Sequence, residues 1–222
     1  MKACLSAAPW MVGLVAGMAG LSPAEGALIT FEFGGQVTSI DDPQGLLQGL
    51  VEVGQAYSGL YTFDSASPDM SADNSEVGRY ACVRGGTDVT LGNLMISPED
   101  SHVYVGNHTR GDIYGLSAGP TTSGDLTVSE FGFQLRENTG GVFPDDALPL
   151  VPPELNQFSF RSFGLMAGPV TGLEFTIIGN VTYLVPEPGS FLFLMTGAVS
   201  LMMRRSRPDR RADSARRRSC TA

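Results

Sequence analysis

Leu173-Glu174-Phe175-Thr176-Ile177-Ile178-Gly179-Asn180-Val181-Thr182-Tyr183 is the stretch from which the fold class is read. Leu173, Phe175, Ile177, Val181 and Tyr183 share one face, and Glu174, Thr176, Asn180 and Thr182 share the other. Successive side chains of a strand point to opposite faces, so this alternation predicts a half-buried β-strand. The same period recurs upstream. Ile29, Phe31, Phe33 and Val37 alternate with Thr30, Glu32 and Thr38, and Tyr57, Tyr61 and Phe63 repeat it, as do Val103 and Val105. Leu126 and Val128 begin on one face, whereas Phe131, Phe133 and Leu135 continue on the other. That phase slip predicts a β-bulge near Ser129-Glu130.

Turn residues separate these runs: Gly34-Gly35, Asp41-Asp42-Pro43, Ser65 to Asn74, Gly85-Gly86, Pro98-Glu99-Asp100, Gly119 to Gly124 and Gly140-Gly141. No helical period is sustained between them. Short strands spaced by Gly and Pro turns predict an all-β chain with a single β-sandwich or jelly-roll-like domain over residues 27–183. The segment from Val142 to Leu155 carries Pro144, Pro149, Pro152 and Pro153 and reads as an extended surface crossover.

Charge is divided sharply along the chain. Between Ala27 and Tyr183 there are 5 Arg, no Lys and 19 Asp or Glu, a net −14; from Arg204 to Arg218 there are 8 Arg and 2 Asp, a net +6. The acidic domain has no basic stripe to displace phosphate counterions, which excludes nucleic acid as its partner. The absence of lysine there excludes Schiff-base chemistry. Cys82 is the domain's only cysteine. It has no partner for an internal disulfide and reads as a buried, inert thiol.

The two ends read as processing segments. Lys2, an apolar run from Leu5 to Leu21, and Ser22, Pro23, Ala24, Glu25, Gly26 and Ala27 have the three-part order of a secretory signal over residues 1–26, with cleavage after Ala24 or after Gly26. At the other end the chain reads VPEPGSFLFLMTGAVSLMMRRSR from Val185 to Arg207. The apolar run from Phe191 to Met203 is short for a bilayer span. Arg204, Arg205 and Arg207 stop it on the cytoplasmic side, and this predicts one transmembrane helix followed by a basic cytoplasmic tail over residues 208–222.

Val185-Pro186-Glu187-Pro188, a small-residue spacer, a short apolar helix and an Arg cluster together resemble a PEP-CTERM sorting signal, here spanning residues 184–207. The resemblance implies a Gram-negative host and recognition by an exosortase, a membrane-embedded cysteine protease, with Pro186, Glu187 and Pro188 as the sorting motif. It further implies cleavage near that motif and export to the cell surface or extracellular matrix. The tail beyond Arg207 is longer than the family's usual few residues. Physically, the two prolines hold the backbone extended, a form that a protease groove can read.

Candidate chemistry in the domain is sparse. Gly115-Leu116-Ser117-Ala118-Gly119 has the spacing of a nucleophile elbow, but loop residues follow it where a helix is needed, and His102 and His108 both precede Ser117. His102 and His108, with Asp100 and Asp112 nearby in sequence, could ligate a metal but lack a ligand-pair spacing. Asp64, Asp69, Asp73 and Glu76 gather hard oxygens in one segment and are the candidate Ca²⁺ site, without the full calcium-loop pattern. No other cofactor is expected. The chain is therefore expected to be a non-catalytic surface or matrix protein whose surface aromatics, Tyr57, Tyr61 and Tyr104 among them, meet exopolysaccharide or a matrix protein. The alternatives are a secreted hydrolase and a permanently anchored single-span inner-membrane protein.

Overall fold

The computed structural model describes residues 26–47, 49–108, 111–169 and 174–187. Ten strands follow in order: β1 Leu28–Asp41, β2 Ala56–Asp64, β3 Val77–Leu91, β4 Leu94–Ile96, β5 Ser101–His108, β6 Gly111–Ala118, β7 Thr121–Ser123, β8 Leu126–Glu137, β9 Phe160–Pro169 and β10 Phe175–Pro186. Among the described residues one 3-10 turn spans Leu155–Gln157. Neighbouring strands run β2-β1-β10-β9-β8-β6-β5-β3, and β3 pairs back onto β2. The described residues thus form a closed, antiparallel, eight-stranded barrel, with β4 and β7 as short additions on β3 and β8. This corrects the sandwich or jelly-roll expectation. A sandwich needs two sheets with free edges, and here the β2–β3 and β1–β10 ladders remove those edges.

Closure requires long strands that bend, and the glycines expected to be turns supply the bends. Gly34 and Gly35 lie inside β1 at a register shift against β10. A Cβ on Gly35 would stand 1.7 Å from the Asn180 carbonyl oxygen, so only glycine allows this approach. Gly85 and Gly86 lie inside β3. Tyr61 pairs with Thr87 while Phe63 pairs with Cys82, so residues 83–86 loop out as a wide bulge. The predicted bulge in β8 is present: Val128 pairs with Ala167 and Glu130 with Met166, which leaves Ser129 as the extra residue. A further slip in β10, opposite Gly34 and Gly35, turns Tyr183 outward and Leu184 inward. Tyr183 therefore does not share the face of Phe175, Ile177 and Val181.

Side chains fill the interior. Phe31, Phe33, Tyr61, Phe63, Phe133, Phe163 and Phe175 are all at most 2% exposed. Tyr57 and Tyr61, expected on the surface, belong to this core at 3% and 0%. Tyr61 and Tyr114 meet in the lumen with their hydroxyls 2.7 Å apart. Burial pushes both phenols well above the ordinary tyrosine range, so both stay neutral. Tyr61→Phe should cost about 1–3 kcal/mol, because it leaves the Tyr114 hydroxyl buried without that partner. Adding Tyr114→Phe should restore part of the loss, and a double-mutant cycle by urea denaturation reads the coupling. A cycle without coupling would mean that the pair is not formed.

Both rims are plugged. The β8–β9 connection, 138–159, joins adjacent strands and is not a crossover. It folds over one rim, where Phe143 packs on Tyr114 and Phe158, and the Tyr80 hydroxyl donates to the Asp146 carbonyl at 2.9 Å. At the other rim the β1–β2 connection inserts Leu47 and Val51. Outward positions carry Glu32, Thr38, Arg79 and Asn180. An apolar lumen inside a polar wall is the reverse of a membrane-spanning barrel. Among the described residues no helix is long and apolar enough to cross a membrane. The expected signal peptide at 1–26, apart from Gly26, and the expected transmembrane helix and tail lie outside the described residues.

Candidate functional site

An even number of antiparallel strands brings the first and last strands out at one rim. Phe31 pairs with Pro186, and the Glu187 N–H donates to the Thr30 carbonyl at 3.0 Å. The expected sorting motif thus begins at the end of the ladder. Pro188, Arg204, Arg205 and Arg207 lie outside the described residues.

A groove of about 710 Å³ lies on the outer wall across β5, β6, β8 and β9, with Arg79 of β3 and Thr176 of β10 also lining it. Its floor is glycine. Gly132 and Gly164 take outward positions there between buried neighbours, and Gly132 pairs with both Ser117 and Gly164. A Cβ on Gly132 would stand 2.0 Å from the Leu116 carbonyl oxygen, whereas one on Gly164 would meet nothing within 4 Å. The Tyr104 ring lies over Gly115, and its hydroxyl donates to the Phe133 carbonyl at 3.3 Å. Burial pushes this phenol up to about 12. Glu130, Gln134, Phe160 and Met166 line the same groove. Sequence reading did not single out these four. The available signal was a mid-strand glycine on the outward phase of neighbouring strands, which marks a depression or a close backbone approach.

His102 and Ser117 also line the groove, as direct cross-strand partners on β5 and β6. The serine hydrolase expectation thus gains a His beside its Ser, but little else. His102 Nδ1 faces the Arg79 guanidinium at 3.4 Å, where a triad would place a carboxylate. Ser117 sits within β6, which is laddered on both sides, so its neighbouring N–H groups are committed to the sheet and form no oxyanion hole. The chain leaves Ala118 into a loop and then β7, and no helix follows as a nucleophile elbow requires.

Burial, then Arg79, lowers the His102 pKa from 6.5, with Asp100 opposing. The folded state therefore favours the neutral ring, and the unfolded chain binds this proton more readily. Stability should fall as pH drops through and below 6.5. A proton NMR titration should place the His102 midpoint below 6.5, and a midpoint above that value would mean that Asp100 outweighs burial and Arg79 together.

The metal candidates do not converge. His102 and His108 lie six residues apart on β5, which is about 20 Å at the strand rise. His108 Nδ1 pairs with Glu76 Oε2 at 3.1 Å. Asp112 is fully buried near the opposite end of the barrel from Asp100. In the proposed calcium segment, Asp64 Oδ1 accepts from the Ala66 N–H, and Asp69 Oδ1 accepts from the Ser71 and Arg79 N–H groups. These carboxylates close turns. Among the described residues no three His, Cys, Asp or Glu side chains gather as a metal site. Cys82 is half-buried, and burial raises its thiol pKa, which disfavours the reactive thiolate.

No family model, curated protein or solved structure matches this chain.

Proposed function

We propose that this chain is an exported, non-catalytic surface or matrix protein, sorted and processed through Pro186-Glu187-Pro188 by an exosortase-type protease. The barrel is the delivered module, and its outer wall meets exopolysaccharide or a matrix partner. One observation carries this reading: the ladder of β10 ends at Pro186 and Glu187, so a cut at the motif would release the barrel with its closing strand intact. The acidic barrel surface and the basic tail suit opposite sides of the inner membrane. A side-chain-filled lumen leaves recognition to the outer surface.

The test is the intact mass of the protein recovered from its native host, compared with a variant carrying Pro186→Ala, Glu187→Ala and Pro188→Ala. Loss of a C-terminal piece from the native form alone is expected. Equal masses with the C-terminal segment retained in both would overturn sorting and leave a permanently anchored protein.

A further inference from the structure

We infer that the outer groove over Gly132 and Gly164 is a binding site for a neutral, extended saccharide chain. The inference deepens the export reading by naming the ligand class, and it rests on that reading for the meeting of protein and polymer.

Charge argues first. The groove holds one guanidinium, Arg79, and one carboxylate, Glu130, as its formal charges. Burial and Arg79 favour the neutral form of His102. A neutral groove in a domain of net −14 disfavours a polyanion, and one carboxylate is too little for a polycation. Hydrogen-bonding capacity argues second. Gln134, Ser117 and Ser162 offer both donors and acceptors, with Glu130 accepting and Arg79 donating. Adjacent sugar hydroxyls, each donor and acceptor at once, match such a set. Apolar surface argues third. The Tyr104 ring covers Gly115, Phe160 is 48% exposed and Met166 is 38% exposed. Phe160 and Met166 lie six residues apart on β9, about 20 Å at the strand rise, so they offer separate apolar contacts to successive rings of an extended chain. A peptide in extended form would seek an unpaired strand edge, and closure of the barrel leaves the groove's backbone fully laddered.

The floor supplies the test. Because a Cβ at Gly164 meets nothing within 4 Å, the backbone there accepts a side chain, and Gly164→Trp places an indole in the groove. The full chain is purified in a polyoxyethylene-ether detergent, which carries no sugar. It is titrated calorimetrically with neutral hexasaccharides of glucose, mannose, galactose and N-acetylglucosamine, and with polygalacturonate. At least one neutral hexasaccharide should bind, and Gly164→Trp should weaken it at least about tenfold with an unchanged melting midpoint. Phe160→Ala, a truncation at an exposed position, should also weaken binding and serves if Gly164→Trp fails to fold. Val53→Trp, on the distant β1–β2 connection, should bind as the parent does. No neutral hexasaccharide bound, equal binding by the folded Gly164→Trp, unchanged binding by Phe160→Ala, or preference for polygalacturonate would each overturn the inference. Sorting is read separately by mass, so a sorted protein that binds no saccharide fails this inference alone. A saccharide-binding protein that is not sorted fails the previous reading alone.

Discussion

Phe133→Ala should lower stability by about 3–5 kcal/mol, the cost of truncating a buried aromatic side chain. Phe133 is 2% exposed and reaches from β8 into the lumen. Its ring centroid lies 4.8 Å from Phe33 on β1, 5.9 Å from Tyr61 on β2 and 6.2 Å from Tyr114 on β6. One ring therefore joins four walls of the barrel. Those walls are held apart by their own hydrogen-bonded circumference and cannot collapse freely onto a cavity, so the cost should fall in the upper part of the range. For a domain of this size the melting midpoint should drop by about 6–20 °C. Urea denaturation with an unchanged slope would assign the effect to the folded state. A loss below about 1 kcal/mol would mean that the lumen is not packed through this ring.

Asp112→Ala should cost about 2–4 kcal/mol through a different mechanism. Asp112 is fully buried at the start of β6, and its Oδ2 accepts from the Val142 N–H at 2.5 Å and the Phe143 N–H at 3.0 Å. It pins the β8–β9 connection over the rim where Phe143 packs on Tyr114. Alanine removes the acceptor and leaves two inward N–H groups unsatisfied. Oδ1 is buried with no hydrogen-bond partner, so the site already bears one unmet acceptor. Asp112→Asn keeps a carbonyl oxygen for the two donors and should cost less, about 1 kcal/mol. Amide exchange should accelerate over residues 138–159 in the alanine variant while the β5–β6 ladder stays protected. Uniform acceleration across the barrel would refute the local anchor.

The strands were legible from the chain alone because alternation is a local property. Phe31 and Phe33, or Val103 and Val105, announce their buried face without reference to any partner, and the slip between Val128 and Phe131 located a bulge before any pairing was known. The order of parts at the C-terminus and the division of charge were likewise local, and they support the export proposal that the end of the β10 ladder carries. Tertiary structure alone decided whether the strands close. A half-buried strand has the same pattern in a sandwich and in a barrel, and the deciding contacts, such as β1 on β10, join residues more than a hundred positions apart. The same limit hid the site. Gly34-Gly35 and Gly85-Gly86 read as turns because glycine marks both turns and bends, and only the partner strand distinguishes them. Tyr183 left its expected face because of a slip in a ladder its own sequence does not contain. His102 and Ser117 met, and Gly132 and Gly164 became one floor, through registers that pairing across four strands imposes.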